Sequence, residues 1–296
     1  MDLLAHGWFG GLVWAALGLS VGSFANVAIY RVPLEGLSVF RPSRSFCPQC
    51  NAKLTWYDNV PVLSWLFLRG RCRSCKVGIP VRYPLVELLV GAAFVGSWWL
   101  LAPEPGGSWL PLVLAWVVAS VCIVVSAIDL EHYIIPDVIT LPGIALGLGA
   151  SLAFPELHEA HVGFRPESPH GSSLVVGLMG LGAGGGSLYL IGLLGNLMLR
   201  AQVQEAGVED AMGFGDVKWM AFAGTFLGPL LVLEAILIGC FAGAIVGIVL
   251  KVAARVSGGD GPVGLPFGPF LSVGILLELF VPGAAWEVLR LVRPGE

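Results

Sequence analysis

Charged residues are scarce in this chain of 296 residues. Asp, Glu, Lys and Arg together make up 12% of it, whereas soluble globular domains carry about 25%. Hydrophobic residues account for 56%, and the mean hydropathy is +0.83. This composition excludes a soluble globular domain and predicts a protein that crosses a lipid bilayer several times.

An excess of positive charge is also missing, since the formal net charge is −4. The basic residues lie beside apolar runs, so nucleic acid is excluded as a partner. No basic segment precedes the first apolar run, which contains Ser23 and Asn26. We therefore interpret the first 30 or so residues as a retained span and not as a cleaved signal. No repeat of fixed period is present, which disfavours a carrier built from two related halves.

Long uncharged runs are what the chain does have. The segment 110–128 contains no charge, and 172–199 is an uncharged run of 28 residues, while about 20 apolar residues cross a bilayer as a helix. We predict an all-α polytopic membrane protein of about eight spans. A count of seven stays open, because only "FLGPLL" separates the sixth candidate from the seventh. The candidates are 8–30, 84–102, 110–128, 134–154, 172–199, 215–229, 231–252 and 264–288.

One substantial polar segment, 31–83, interrupts the apolar sequence. It holds nine of the sixteen Lys and Arg residues of the chain. Cytoplasmic loops carry such an excess of positive charge, so we place this loop in the cytoplasm and the N-terminus outside. The lipid bilayer is the partner that follows, and the sequence indicates no oligomeric state.

The polar loop contains two pairs of cysteines, "CPQC" and "CRSC", separated by 21 residues. Two CxxC pairs at this distance fit a tetrahedral four-thiolate zinc site, which would be structural because no coordination position stays open. Two disulfides or four unconnected thiols are the alternatives, and a cytoplasmic loop disfavours disulfides. The predicted ligands are Cys47, Cys50, Cys72 and Cys75, whereas Cys122 and Cys240 lie inside spans as packing residues.

Two aspartates fall at the same edge of the predicted bundle. Asp129 ends the third span, which runs inward, and Asp216 begins the sixth, which runs outward, so both lie at the cytoplasmic side. Two close carboxylates share one proton, which lets one activate water while the other polarises a carbonyl. Gly213 and Gly215 would leave room for a substrate backbone, and we expect Lys218 to extend to the interface.

Simpler interpretations of these aspartates stay open at this point. Asp129 could be a helix-end residue at the lipid headgroups, and Asp216 could be the N-cap of the sixth span. A proton-coupled carrier would also use buried carboxylates. A non-enzymatic assembly scaffold would use the cysteine loop for docking and would need neither aspartate.

Five segments, taken in order, resemble the bifunctional type IV prepilin peptidases with N-methyltransferase activity. The resemblance covers most of the chain, and the order and spacing of the segments make it specific. They are "GSFANVAIYRVP" (22–33), "RPSRSFCPQCNAKLTWYDNVPVLSWLFLRGRCRSC" (41–75), "RYPLVELLVG" (82–91), "IDLEHYIIPDVITLP" (128–142) and "GFGDVK" (213–218).

The resemblance implies a function and roles for the matching residues. It implies that Asp129 and Asp216 are the catalytic pair, with Asp137 a lesser candidate, and that the four loop cysteines bind zinc. Such enzymes remove the basic leader of prepilins and pseudopilins at the cytoplasmic face of the bacterial inner membrane. They then methylate the new terminal amine, commonly that of phenylalanine, with S-adenosylmethionine. A chain with peptidase activity alone is the alternative.

The methyltransferase site is the least defined part of this prediction. No glycine-rich nucleotide loop follows a predicted strand, and the resemblance assigns the activity to the first span and the loop 32–83, ahead of a peptidase bundle over 84–289. Glu87 could orient the substrate amine or the cofactor sulfonium, or simply be an acidic residue favoured in a first helical turn. Asn26 is expected to make a structural hydrogen bond. His132 could tune Asp129 or lie solvated in a loop.

Overall fold

The computed structural model describes most of the chain and divides it into two compact units, 1–128 and 129–296. The boundary falls inside one helix, between Ile128 and Asp129. The described residues are 8–34, 36–42, 44–104, 106–159, 169–198, 212–257 and 264–283. They form helices and isolated bridges without a β-strand.

Unit 1 contains α1 (Trp8–Arg31), α3 (Arg82–Leu101) and the first part of α4 (Leu110–His132). Helices α1 and α3 approach each other closely at glycines. A Cβ at Gly18 would lie 2.9 Å from the Cα of Gly91, and a Cβ at Gly22 would lie 2.7 Å from the Cα of Glu87. Small residues at a helix seam permit such backbone contact inside a membrane.

The loop between α1 and α3 is ordered by polar contacts and short elements. It contains a 3-10 turn (Trp56–Asn59) and the short helix α2 (Leu63–Phe67). At its start, the buried guanidinium of Arg31 donates hydrogen bonds of 2.8 to 3.3 Å to backbone carbonyls. This side chain therefore fixes the first turn of the loop, and the acceptors are those of Ser38, Val39, Pro42 and Arg44.

Unit 2 contains the remaining helices, and glycines again line its closest seam. The elements are α5 (Asp137–Ala153), α6 (Glu156–Glu159), α7 (Pro169–Met198), α8 (Phe214–Val256) and α9 (Gly268–Phe280). Gly180 of α7 and Gly224 of α8 lie in backbone contact, since a Cβ on either would overlap the carbonyl of the other.

Helix α8 has 43 residues and is broken at Gly228, whose φ of 74° and ψ of 178° are not helical, directly before Pro229. Met220 and Val232 both lie against Gly184, although a straight helix would separate them by about 18 Å at 1.5 Å per residue. The chain therefore turns back at Gly228 inside the segment "FLGPLL", the predicted separator of the sixth and seventh spans.

Five helices are long and apolar enough to cross a membrane by length and composition. The chain is thus an all-α polytopic membrane protein, as predicted. Two predicted spans correspond to shorter helices, since α5 has 17 residues and α9 has 13. The count of eight stays a prediction. Large apolar side chains are exposed along the long helices, as a lipid-facing surface requires. The exposed residues include Leu17, Leu190 and Phe241.

Candidate active site and metal centre

Asp129 lies in the last turn of α4 and is only 6% exposed. Its Oδ2 accepts a hydrogen bond of 2.8 Å from the backbone N–H of Gly268, the first residue of α9. A Cβ at Gly268 would lie 2.8 Å from that same oxygen, and 3.3 Å from Cδ1 of Ile135. Only glycine fits at this position without displacing the carboxylate or the helix start.

Asp216 lies in the first turn of α8, and its backbone N–H donates to the carbonyl of Gly213 over 3.1 Å. Gly213 is the N-cap of the helix, so the alternative that Asp216 itself is the N-cap is wrong. A Cβ at Gly213 would lie 3.1 Å from Oδ2 of Asp216, and a Cβ at Gly215 would lie 3.1 Å from Cβ of Ile135. Gly213 therefore keeps space open at the carboxylate of Asp216, and Gly215 keeps space for Ile135.

The fold brings Asp129 and Asp216 together within unit 2. Their carboxylates are close enough for their charges to interact. Ile135, in the segment that joins α4 to α5, lies against both Gly215 and Gly268 and closes the apolar side of this pair. The buried Trp219 stacks on Phe222 in the next turns of α8, with ring centroids 4.9 Å apart.

Lys218 makes a specific contact that the sequence did not predict. Its ammonium donates to the carboxylate of Asp137, the first residue of α5, and lies 5.2 Å from the centre of the Phe214 ring. This ion pair joins the starts of α5 and α8, beside the two aspartates. His132 is exposed at the end of α4, with its Nε2 4.0 Å from a carboxylate oxygen of Glu131, which favours the alternative that it lies solvated.

The sequence interpretation missed Gly268. It lies in "PFGPF" (266–270), inside the run that was predicted as the last span. A proline directly after a glycine marks a helix start, and this signal would have placed the start of α9 at that position.

The four loop cysteines form a cluster whose sulfur atoms all lie within 4.8 Å of one another. Cys47 Sγ and Cys75 Sγ are 3.8 Å apart, and a tetrahedral zinc site with Zn–S bonds of about 2.3 Å needs S···S distances of about 3.8 Å. All four are free thiols, so the disulfide alternative has no support. The donor set and spacing fit zinc.

The two CxxC turns are built alike. The N–H of Cys47 donates to the carbonyl of Ala52 over 3.0 Å, and that of Cys72 donates to Val77 over 2.8 Å. The residue after each pair, Asn51 or Lys76, has a positive φ. Backbone N–H groups of Cys75 and Ser74 lower the pKa of the Cys72 thiol, which favours the thiolate that a metal requires.

An ion pair braces the segment between the cysteine pairs. Asp58 accepts from Arg73 Nη2 at 2.7 Å and from Thr55 Oγ1 at 2.6 Å. Desolvation opposes its ionisation, but these hydrogen bonds outweigh that effect and lower the pKa of Asp58. Asp58 therefore carries its negative charge at neutral pH.

Glu87 is 8% exposed and lies in the second turn of α3. Its Oε2 accepts a hydrogen bond of 2.6 Å from the backbone N–H of Val62, and its carboxylate also bonds to the Ser23 side chain. Val62 is the centre of a turn closed by Leu63 N to Pro61 O at 2.5 Å, with φ 60° and ψ −51°. This conformation costs a β-branched residue about 1–3 kcal/mol.

Asn26 lies one turn from Ser23 on α1 and is 3% exposed. Its Nδ2 donates to the carbonyl of Tyr83 over 3.0 Å, a contact that joins α1 to α3 as expected for a structural role. Among the residues that the structure describes, no hydrogen-bond donor reaches Asn26 Oδ1, which is buried.

The fold defines a class of protein, namely a helical membrane protein in which two aspartates from distant parts of the chain lie near each other. Comparison with known proteins then identifies the family. A model described as "Bacterial Peptidase A24 N-terminal domain" matches residues 16–101, and one described as "Type IV leader peptidase family" matches residues 116–248. The chain belongs to the type IV leader peptidase family and is an enzyme of that class.

Curated relatives match most of the chain. The "Prepilin leader peptidase/N-methyltransferase" of Myxococcus xanthus (strain DK1622) is 39% identical over 85% of this chain and 67% of the relative. The "Type 4 prepilin-like proteins leader peptide-processing enzyme" of Escherichia coli O78:H11 is 34% identical over 89% and 91%. The Neisseria gonorrhoeae relative, named as the first, is 32% identical over 93% and 92%. No solved structure matches the chain significantly.

Proposed function

We propose that the chain removes the leader peptide from type IV prepilins and pseudopilins and then N-methylates the new terminal residue with S-adenosylmethionine. The observation that carries this proposal is the meeting of Asp129 and Asp216, from the end of α4 and the start of α8, in a chain of this family. Gly213 and Gly215 are proposed to let a peptide backbone approach Asp216, since neither carries a side chain beside that residue.

In the proposed cleavage, Asp129 is the general base and Asp216 carries the shared proton. A hydrogen bond to a charged group contributes about 1.5–3 kcal/mol, and Asp129 receives one from Gly268. Asp216 lies near the N-terminus of α8, and a helix dipole contributes about 0.3–1 kcal/mol there. The direct hydrogen bond is the larger effect, so the negative charge resides on Asp129.

The proposed reaction then follows from these two states. Asp129 takes a proton from water, and the oxygen of that water bonds to the carbonyl carbon of the scissile peptide. Asp216 gives its proton to the carbonyl oxygen, and collapse of the tetrahedral carbon breaks the C–N bond with a proton moving to the leaving amine. Lys218 and Asp137 support the site by holding the starts of α8 and α5 together.

The proposed methyltransferase portion comprises the loop 32–83 with the adjoining spans, including the first span, 1–31. Peptidase activity belongs to the bundle 84–289. The four cysteines hold zinc in a structural role, which their donor type and distances support. S-adenosylmethionine supplies an electrophilic methyl group, and Glu87 is a candidate residue for that reaction.

We propose the bacterial inner membrane as the location, with the catalytic aspartates facing the cytoplasm. The excess of Lys and Arg in 31–83 supports this orientation. The basic leader of a prepilin is held on the same side by the same rule. The scissile bond would then meet the aspartates at the membrane edge while the apolar substrate helix stays in the bilayer.

The test uses membranes, a prepilin and S-adenosylmethionine labelled in its methyl group. We expect Asp129→Asn and Asp216→Asn each to abolish cleavage while the protein stays inserted, and Glu104→Gln, an exposed charge removal, to cleave normally. Cleavage with label transfer supports both activities, and cleavage without label leaves the peptidase alone. Normal processing by Asp216→Asn would refute the catalytic pair, and absence of cleavage by the wild type would favour a scaffold.

A further inference from the structure

Buried hydrogen-bond acceptors collect where α1 meets α3 at the loop end of both helices. Asn26 and Glu87 each lie five residues from that end, in α1 (Trp8–Arg31) and α3 (Arg82–Leu101) respectively. The described partners of the Glu87 carboxylate are both neutral, namely the N–H of Val62 and the Ser23 side chain. A buried carboxylate without a cation and a buried amide oxygen without a donor are each unfavourable alone, so their proximity in one seam favours the binding of a cationic donor there.

The seam also limits the size of that donor. Gly22 touches the backbone of Glu87, since a Cβ there would lie 2.7 Å from Cα and 3.2 Å from the carbonyl oxygen of Glu87. Apolar side chains that are 0 to 5% exposed lie beside the acceptors along both helices. Close backbone contact in this apolar setting favours a compact cation on an apolar chain over a group as large as a nucleoside. These buried neighbours are Ala25, Ile29, Val86 and Val90.

The strained turn at Val62 shows how the seam is held closed. Its N–H donates to Glu87 over 2.6 Å from a backbone conformation that a β-branched residue rarely adopts. Such strain persists only where the surroundings impose it, and here the imposing group is a carboxylate. The N–H of Val62 thus bonds to a carboxylate oxygen that a charged donor would bind more strongly. An ammonium group with three N–H bonds could displace it from Glu87.

We propose that Glu87 and Asn26 form the binding site for the terminal ammonium group of the leaderless substrate. This proposal rests on the proposed function, because the same nitrogen is the methyl acceptor. Glu87 takes one proton from the ammonium. The nitrogen lone pair then bonds to the methyl carbon of the sulfonium donor while the S–CH₃ bond breaks and its electron pair stays on sulfur, which leaves a secondary ammonium and a neutral thioether.

A binding experiment without any methyl donor tests the site directly. The protein in nanodiscs is titrated with an apolar peptide that begins with phenylalanine, either with a free amine or N-acetylated. We expect the wild type to prefer the free amine by about 10-fold or more, as the loss of a hydrogen bond to a charged group implies. Glu87→Gln should lose this preference, and Glu104→Gln, which removes an exposed charge from the same unit, should keep it.

A double-variant cycle tests whether both side chains bind one group. If Asn26 and Glu87 contact the same ammonium, Asn26→Leu and Glu87→Gln should each raise the KM for the peptide in methyl transfer, and their combined effect should be less than the product of the two. Leader cleavage by each variant shows that the protein is folded. If cleavage fails in one variant, the binding preference of the other still decides the result.

Two results would overturn the proposal. One is an unchanged preference for the free amine in both variants. The other is weaker binding of labelled S-adenosylmethionine alone with the amine preference intact, which would make Glu87 a cofactor residue. Failure of the wild type to methylate, with a Glu87-dependent amine preference, would refute the proposed methyl transfer and still support this site.

Discussion

Replacement of Gly268 by alanine tests the role of the α9 start in peptide cleavage. The added Cβ would lie 2.8 Å from Oδ2 and 3.2 Å from Cγ of Asp129, and 3.3 Å from Cδ1 of Ile135. The first of these contacts is closer than real Cβ atoms approach, so either the carboxylate or the helix start must move. The hydrogen bond of 2.8 Å between Gly268 N–H and Asp129 is then lost or lengthened.

The size of the effect follows from the bond that is lost. A hydrogen bond to a charged group contributes about 1.5–3 kcal/mol, and each 1.4 kcal/mol corresponds to about tenfold in rate. We therefore expect Gly268→Ala to cleave a prepilin about 10- to 150-fold more slowly. Since the N–H stabilises the carboxylate of Asp129 over its acid form, the acidic limb of the pH–rate profile should also move to higher pH.

The matched control is Gly264→Ala, because a Cβ at Gly264 meets no atom of the described residues within 4 Å. It lies four residues before Gly268 and should cleave at the wild-type rate. Methylation of an already cleaved peptide should be unchanged in both variants, which separates a local effect from misfolding. Cleavage by a folded Gly268→Ala at the wild-type rate and with the wild-type pH profile would refute the reasoning.

Three further predictions concern other parts of the chain. Removal of metal with a chelator, or Cys75→Ser, should make the loop 32–81 sensitive to protease and abolish methylation, while leader cleavage continues. A loop that stays as resistant to protease as in the untreated wild type would contradict a structural metal. The pKa of Asp58 is lowered on folding, so its contribution to loop stability is complete at neutral pH and is lost as the pH falls through the carboxyl range. The difference in protease resistance between wild type and Asp58→Asn should therefore be smaller at pH 4 than at pH 7. Gly180→Leu should prevent stable expression, because Gly180 touches the backbone of Gly224. Its control, Gly182→Leu, should be tolerated, since a Cβ there meets no described atom within 4 Å. Equal expression of the two variants would contradict the close contact of α7 with α8.

The sequence predicted well those features that depend on composition or on short spacing. Uncharged runs longer than about 18 residues have few alternatives to a helix in a bilayer, so α1, α4 and α7 were all expected, whereas α8 corresponds to two predicted spans. The two CxxC turns fix each pair of sulfurs locally, and the chain between them then needs only to bring the second pair back to the first. Asp129 and Asp216 could be placed at one edge because the direction of each span follows from the count of spans between them.

Features that depend on contacts across long sequence distances could not be predicted. Gly268 lies 139 positions from Asp129, and nothing in the local sequence around either residue indicates the other. The hydrogen bond from Val62 to Glu87 likewise depends on where the short helix α2 meets the membrane helix α3. The shortness of α9, with 13 residues, was missed because hydropathy measures the length of an apolar run and not where its helix begins.

The contact between Val62 and Glu87 also determines how the cysteine loop can move. The loop is joined to α1 at one end and to α3 at the other, and Glu87 fastens it to α3 again near its middle. This attachment divides the loop into two closed segments, and each contains one CxxC turn. A metal ion bound by all four cysteines would connect the two segments to each other. With the metal bound, the loop has few degrees of freedom. A displacement of the Val62 turn is then transmitted to the cysteine cluster, and a loosening of the cluster is transmitted to the Glu87 carboxylate.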